Sequence, residues 1–293
     1  MSSVIFQFFP SPYVEGGAAK SNIQIADILR DSGYCVRPII PFARHHHDVY
    51  DTLQKKGYSC MRLVMPMSVR PQTFKTNHEK LHFYFRLLIR LCFFIPNEFI
   101  LFLMSIKYSQ RKVLFYHGGG NLTQGFLCAA LRKLPLIIHI REFIEEDQNW
   151  AYLSERLQRK YFDYASVSIC ISNALEKKFR TKYPTGNFCV VYNAIFNALS
   201  GSNRAVSSHK LFGKEVPEIV IVGNIAPHKG QLEAIKAIGW LHDEGQEVHL
   251  TVVGDPSHTP RNYLNEIRDT IDEKKLMLTY PWSGIKVKLK DII

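Results

Sequence analysis

None of the six cysteines (Cys35, Cys60, Cys92, Cys128, Cys170 and Cys189) forms a C-x-x-C pair, which excludes zinc-ribbon and thioredoxin-type sites. Most lie beside strand-like apolar residues, as in Ile169-Cys170-Ile171, and read as buried, reduced thiols. The opening Met1-Ser2-Ser3-Val4-Ile5-Phe6 lacks a basic n-region and a small-residue cleavage site, so a cytoplasmic location is expected. No charge-free run approaches the roughly 18 residues of a membrane span. Acidic residues are the scarcer charge, 26 against 37 Lys and Arg, giving a formal net charge of +11. That balance excludes an acidic solvating tail and favours acidic partners: nucleic acid, anionic lipid or phosphorylated small molecules.

What is present is globular. Hydrophobic residues make up 46% and charged residues 22% of 293 positions, enough for a sizeable core in one large domain or two ordinary ones. The most apolar stretch, residues 81–106, reads LHFYFRLLIRLCFFIPNEFILFLMSI. Arg86, Arg90 and Glu98 interrupt it, and Pro96-Asn97 predicts a division into two consecutive helices at Pro96. Arg86 and Arg90, spaced i, i+4, share a face amid Leu87, Leu88, Leu91, Phe93 and Phe94. Two readings stay open: a monotopic helix docking on an anionic bilayer through Arg86, Arg90, Phe93 and Phe94, or a helix pair buried in the fold.

Strand-like runs at residues 4–9, 35–40, 60–65, 113–116, 136–140, 167–171 and 188–192 alternate with helical patterns, including 22–31, 49–56, 122–133, 150–164 and 173–182. This rhythm predicts a parallel sheet with helices on both faces. Residues 197–214 are polar, Ser-rich and non-periodic, as a linker would be. The rhythm then restarts, with strands at 218–222, 248–253 and 276–279 and helices at 231–241 and 263–273. Two α/β domains facing a cleft are expected: residues 1–196, then 215–279 after the linker.

Three strand-to-helix turns could hold an anion, because such turns gather backbone N–H groups at a positive helix end. Pro12-Tyr13-Val14-Glu15-Gly16-Gly17-Ala18 is neither G-x-G-x-x-G nor a P-loop; it is a plain turn or a ligand loop. His117-Gly118-Gly119-Gly120-Asn121 is a flexible turn or a substrate cradle at the sheet edge. In Val222-Gly223-Asn224-Ile225-Ala226-Pro227-His228-Lys229-Gly230-Gln231, Lys229 would aim an ammonium at an anion on the helix end. The tract His45-His46-His47 resembles a metal site, but three adjacent residues in an extended loop point in different directions; a solvated loop is expected, and no metal.

The order and spacing of these segments resemble the family 4 retaining glycosyltransferases of GT-B fold. The resemblance rests on Gly223 through Lys229-Gly230 after the first strand of a second α/β unit, and on Val253-Gly254-Asp255 at the end of the next strand. Gly16-Gly17-Ala18 looks like the family's glycine loop, Val167 to Ala174 its strand before the linker, and Val190-Val191-Tyr192-Asn193-Ala194 its Tyr-Asn-Gly segment. It implies two Rossmann-like doubly wound domains and transfer of a sugar from a nucleotide-diphosphate donor with retention. It implies no cofactor and no metal, since cations and helix ends stabilise the departing diphosphate. Carried onto this chain, Gly16, Gly17, Asn224, Lys229 and Gly230 would bind the donor diphosphate. Lys229, Arg141 and His139 would be catalytic, and Gly118, Gly119 and Glu142 would line the acceptor side.

Two positions depart from the pattern. Asn224 stands where the family usually has Arg, and Arg141 stands where it often has His, with His139 two residues earlier. Arg141 could bind acceptor or phosphate with Glu142 orienting it, or the two could form a structural pair. A complete second domain needs ~150 residues, yet 76 remain from Glu218 onward, and no two glutamates lie eight positions apart as the family's donor site requires. The second domain is therefore expected to be incomplete, with residues 280–293 an aberrant tail such as a shifted frame would produce. The expected function is sugar transfer to a lipid-linked or polysaccharide acceptor in cell-surface polysaccharide synthesis, by a cytoplasmic protein peripheral on the inner face of the membrane. A non-catalytic membrane-surface binding pseudo-enzyme is the alternative. Nucleic acid is not expected as a partner, because no recognition motif accompanies the charge.

Overall fold

A computed structural model describes residues 3–14, 17–42, 48–66, 68–74, 76–120, 123–147, 149–193, 216–254, 259, 261–274, 276–278 and 286–291. The chain divides into two compact units, Met1–Ile195 and Phe196–Ile293. The linker expected at 197–214 and the histidines at 45–47 lie outside the described residues.

In the first unit the strands are β1 (Val4–Phe8), β2 (Cys35–Pro41), β3 (Met61–Leu63), β4 (Val69–Pro71), β5 (Val113–His117), β6 (Leu136–Ile140), β7 (Trp150–Tyr152), β8 (Val167–Cys170) and β9 (Phe188–Val190). The helices are α1 (Gly17–Asp31), α2 (Asp48–Lys55), α3 (Asn77–Cys92), α4 (Phe94–Lys107), α5 (Phe126–Arg132), α6 (Ile144–Asp147), α7 (Glu155–Tyr164) and α8 (Asn173–Lys182). Seven strands form one parallel sheet in the order β3-β2-β1-β5-β6-β8-β9. The chain builds outward from β1 in one direction, returns, and builds outward from β5 in the other. The order reverses between β1 and β5, which is where open α/β sheets place a ligand crevice.

Side chains alternate across the sheet with period two. Val4, Phe6 and Phe8 face one core, with Phe115, Ile138, Phe162 and Phe179. Val36 and Ile40 face the other, with Phe9 just beyond β1, Ile23 and Ala26 of α1 and Leu53 of α2. Helices α3, α7 and α8 begin at capping hydroxyls: Thr76 accepts from Glu79 N, Ser154 from Leu157 N and Ser172 from Leu175 N.

The structure corrects three expectations. The helix division falls at Phe93, not at Pro96. Pro96 lies in the first turn of α4, where its missing N–H would have had no helical partner. Taken together, Asn77–Lys107 is long and apolar enough to cross a membrane by length and composition; counting only charge-free runs understated it. Residues 150–164 are not helical throughout either: Trp150–Tyr152 pairs antiparallel with Val69–Pro71, because Tyr152 and Trp150 bury against Val69 and Ile144.

Helix α4 packs with its polar side inward. Asn97, Glu98, Leu101 and Ser105, at i, i+1, i+4 and i+8, are its buried residues. The Glu98 carboxylate accepts from Gln124 Nε2 (2.7 Å), Gly125 N (2.5 Å) and Cys128 N (2.7 Å). Asn97 Nδ2 donates to Val64 O and to Gln124 Oε1.

The second unit contains β10 (Glu218–Val222), α9 (Gln231–Asp243), β11 (His249–Val253), α10 (Arg261–Glu273), β12 (Leu276–Leu278) and β13 (Lys286–Asp291). The sheet order is β10-β11-β13-β12. β10 and β11 are parallel, and β13 lies antiparallel between β11 and β12. Part of the segment read as a tail is thus a sheet strand. Helices α9 and α10 share one core with Ile221, Leu250 and Val252, so both lie on one face. Right-handed crossovers advancing in one direction require this. Val220 and Val222, on the opposite face, are exposed.

Removing the three-donor acceptor should unfold the first unit more easily. Glu98→Ala is expected to cost about 2–3 kcal/mol in urea unfolding, because it strands buried N–H groups at the start of α5; an unchanged midpoint would contradict the packing described for α4.

Candidate functional site

Each unit holds one cluster of polar residues at the ends of its parallel strands. In the first unit these are the ends of β1, β5 and β6. Gly118 N donates to Phe8 O (2.9 Å), which joins the glycine turn after β5 to the end of β1. Asn22 Nδ2 donates to Gly118 O (3.2 Å) and Ala18 O (3.0 Å), so α1 is tied to the same turn. Gln7 Nε2 donates to Asn22 O (2.8 Å). A Cβ on Gly118 would lie 2.2 Å from Asn22 Oδ1, so only glycine permits this approach. Gly118 and Gly119 are buried, and Gly17 is the exposed first residue of α1. Gly16 lies outside the described residues.

Gln7 lies opposite Tyr116 in the β1–β5 register, and Tyr116 opposite Ile137 in β5–β6. By period two, His139 shares that face. Its Nδ1 lies 2.6 Å from Tyr116 Oη and 3.1 Å from an Arg141 guanidinium nitrogen. A guanidinium can only donate, so Nδ1 accepts and the ring proton sits on Nε2. Burial raises the Tyr116 phenol, which keeps it protonated as a second donor. His139 is 7% exposed, and Nε2 has no hydrogen-bond partner among the described residues. Burial first, and then the Arg141 charge, pull its pKa down to about 3. His139 is therefore a neutral acceptor that holds Arg141 in place, rather than a group that exchanges protons at neutral pH. Arg141 and Glu142 follow β6, both half-buried. On the other face, His117 Nδ1 meets Tyr161 Oη at 2.5 Å within the core.

The second cluster is the turn from β10 to α9. After Gly223 and exposed Asn224, the chain makes a short 3-10 turn, Pro227–Lys229, and enters α9 through Gly230. Gly230 has φ 73°, the left-handed region that favours glycine. Gln231 holds the loop: Nε2 donates to Asn224 O (3.0 Å) and Oε1 accepts from Ala226 N (3.4 Å). Lys229 is exposed beside the N-terminus of the 13-residue α9. An exposed ammonium next to a positive helix end can neutralise a phosphate.

The structure thus brings Gly118, Gly119, His139 and Arg141 to neighbouring strand ends, and Asn224, Lys229 and Gly230 into one turn. Arg86 is exposed and Arg90 half-buried on α3, Phe93 sits exposed at the helix junction, and Phe94 begins α4 half-buried. Three contributors escaped the motif reading: Gln7, Asn22 and Tyr116. Gln7 carried a signal, as the lone polar residue of an apolar strand. Among the described residues no three His, Cys, Asp or Glu side chains gather as a metal site would require.

No family model and no curated protein matches the chain. Solved structures do. A glycosyltransferase from Rickettsia africae superposes with a TM-score of 0.58 at 15% identity, over 94% of this chain and 66% of that one. HepE from Anabaena, in complex with UDP and glucose, gives 0.53 at 16%, over 94% and 67%. The N-terminal domain of trehalose-6-phosphate phosphatase from Candida albicans gives 0.57 at 10%, over 94% and 69%. The chain spans about two thirds of the length of the structures it matches. The fold is the α/β fold of GT-B glycosyltransferases.

The state of His139 has a measurable consequence. Its folded pKa of about 3 lies below the ordinary 6.5, so the unfolded chain binds the proton more readily. Stability present above the ordinary value is lost as pH falls toward the folded one. Between about pH 7 and about pH 4 the protein should lose on the order of 3 kcal/mol more than His139→Gln does, read by urea unfolding at each pH. Parallel pH curves would show that the ring titrates normally.

Proposed function

We propose that the chain is a glycosyltransferase that moves a sugar from a nucleotide-diphosphate donor to a lipid-linked or polysaccharide acceptor, with retention at the anomeric carbon. The observation that carries this is the β10–α9 turn. It places the exposed Lys229 and the αL Gly230 at the N-terminus of α9, in a chain folded like glycosyltransferases over 94% of its length. The Anabaena neighbour holds UDP, a ligand with the diphosphate this turn would suit. Retention rests on the family 4 resemblance, as does a role in cell-surface polysaccharide synthesis.

Cleaving a donor sugar leaves negative charge on the diphosphate. Gln231 holds the loop that carries Lys229 to the helix end before that charge develops, so stabilising it requires little backbone reorganisation. Asn224, where the resemblance calls for Arg, contributes a neutral amide, which leaves Lys229 as the principal cation of the turn. In the first unit, Arg141 is the group offered to an acceptor hydroxyl or phosphate. Tyr116 and His139 fix its guanidinium, and Gly118 gives the backbone of the glycine turn its close approach.

Calorimetric titration with UDP tests the donor half. Binding is expected in the native chain, and Lys229→Ala should weaken it about tenfold or more, as loss of a charge-assisted contact does. Transfer is tested by following labelled sugar from a panel of nucleotide-diphosphate donors into extracted lipid. Absence of UDP binding would overturn the reading and favour the non-catalytic membrane-surface module.

A further inference from the structure

We propose that α3 and α4 form a docking surface for an anionic phospholipid bilayer, lying along the membrane interface rather than crossing it. The first observation is the inverted polarity of α4. Its polar residues Asn97, Glu98 and Ser105 face inward and are hydrogen-bonded there. Its outward stripe at i, i+4, i+8 is Ile95, Phe99 and Leu103, with Phe99 59% exposed. A helix in contact with water carries the opposite arrangement. Helix α3 continues the surface with Leu81, Phe85 and Leu88, of which Leu81 is 71% and Leu88 62% exposed. Phe83 is the one side chain of α3 that is buried.

The charges on this surface select the partner. Lys80, Arg86 and Lys107 are exposed and Arg90 is half-buried. The carboxylates of the same segment are Glu98, buried beneath α4, and Glu79, in the first turn of α3. Burial and the adjacent Arg86 hold the Arg90 guanidinium below its usual range, a repulsion that an anionic headgroup would relieve. Aliphatic and aromatic side chains flanked by cations are the composition of an interfacial anchor. A second copy of this chain fits less well, because an isologous contact uses the same patch on both subunits and would gather two sets of these cations into one interface. Spanning is disfavoured as well. Glu98 fastens α4 to the start of α5, and Leu101 fastens it to the core of the parallel sheet. Passing α4 through hydrocarbon would strip those polar groups of their partners.

The experiment uses the full chain without any sugar donor, so its outcome is separate from that of the transfer reading. The protein is sedimented with vesicles of phosphatidylcholine alone and of phosphatidylcholine mixed with phosphatidylglycerol. Binding to the mixed vesicles is expected, weakening as salt is added. Arg86→Glu should reduce it, and Leu88→Ser with Phe99→Ser should reduce it about tenfold or more. Both double-variant sites are surface positions, so far-UV circular dichroism and UDP titration of that variant should match the native chain. As an independent readout, Phe99→Trp should shift its emission to the blue on mixed vesicles, and acyl-chain bromination should quench it. The proposal is overturned if the native chain stays in the supernatant with both vesicle types, or if the variants sediment like the native chain. It is also overturned if light scattering reveals a dimer that the double variant dissolves while vesicles fail to bind; the surface would then belong to a second copy.

Discussion

The carboxylate of Glu98 lies beneath α4 and is enclosed by three N–H donors, Gln124 Nε2, Gly125 N and Cys128 N. Two of them are backbone groups at the start of α5, a seven-residue helix whose own N-cap, Gly125, offers no side chain. The first N–H groups of a helix have no partner within it, so α5 receives its cap from another helix. Burial pushes the Glu98 carboxyl up, and these three hydrogen bonds work in the opposite direction. This contact fixes the rotation of α4 about its axis. Once Asn97, Glu98 and Ser105 must point at the sheet, Ile95, Phe99 and Leu103 must point away. The exposed apolar surface is therefore a consequence of how the interior is satisfied, and no rotation of α4 could hide it without stranding the amides of α5.

The same connection reaches the strand ends. Gln124 and Gly125 lie just beyond the glycine turn that Asn22 ties to α1, so the segment from β5 to α5 is held from both sides of the sheet. On the face toward α1, Gln7, Tyr116 and His139 form a layer of polar side chains one residue deep below the loops. Burying polar groups there costs stability unless they are hydrogen-bonded. What the arrangement secures is a fixed direction for Arg141, whose guanidinium would otherwise sample many rotamers. An imidazole that titrated near neutrality would become a cation beside Arg141 and repel it; one held neutral to about pH 3 does not.

Much of this was legible in the sequence. The alternation of apolar runs and helical patterns located every strand of the seven-stranded sheet, because buried parallel strands are near-continuous apolar runs. The glycine and lysine turns could be read because they need unusual backbone or charge at fixed spacing. What escaped has a common cause, namely that it depends on partners distant in sequence. Trp150–Tyr152 is a strand only because Val69–Pro71 lies beside it, and by spacing alone it continues the pattern of α7. The Phe93 break reflects the tolerance of a first helical turn for proline, which moves the division three residues before Pro96. Tyr116 and Asn22 look like ordinary strand and helix residues until register places them against His139 and Gly118. Residues 286–291 form an antiparallel strand in a sheet that otherwise begins parallel, which no local rhythm announces. The two readings of residues 81–106, membrane anchor or buried pair, were equivalent by composition. The buried pair is set aside once the buried face of α4 is seen to be the polar one.

The formal charge of +11 is not spread evenly over these features. Lys178 and Lys182 are neutralised in a network with Glu145, Glu146 and Glu155. Arg30 and Lys56 share Asp27, and Lys274 pairs with Asp243. Lys80, Arg86, Lys107 and Lys229 have no ion-pair partner among the described residues. Exposed pairs contribute little to stability, so pairing or its absence is a weak constraint on folding and can follow function instead. Of these four, three lie around the apolar face of α3 and α4, and Lys229 lies at the turn opening α9. Under the two proposals, a lipid headgroup at one place and a diphosphate at the other would be reasons to keep the charge unanswered within the chain. An internal carboxylate at either would compete with the external anion.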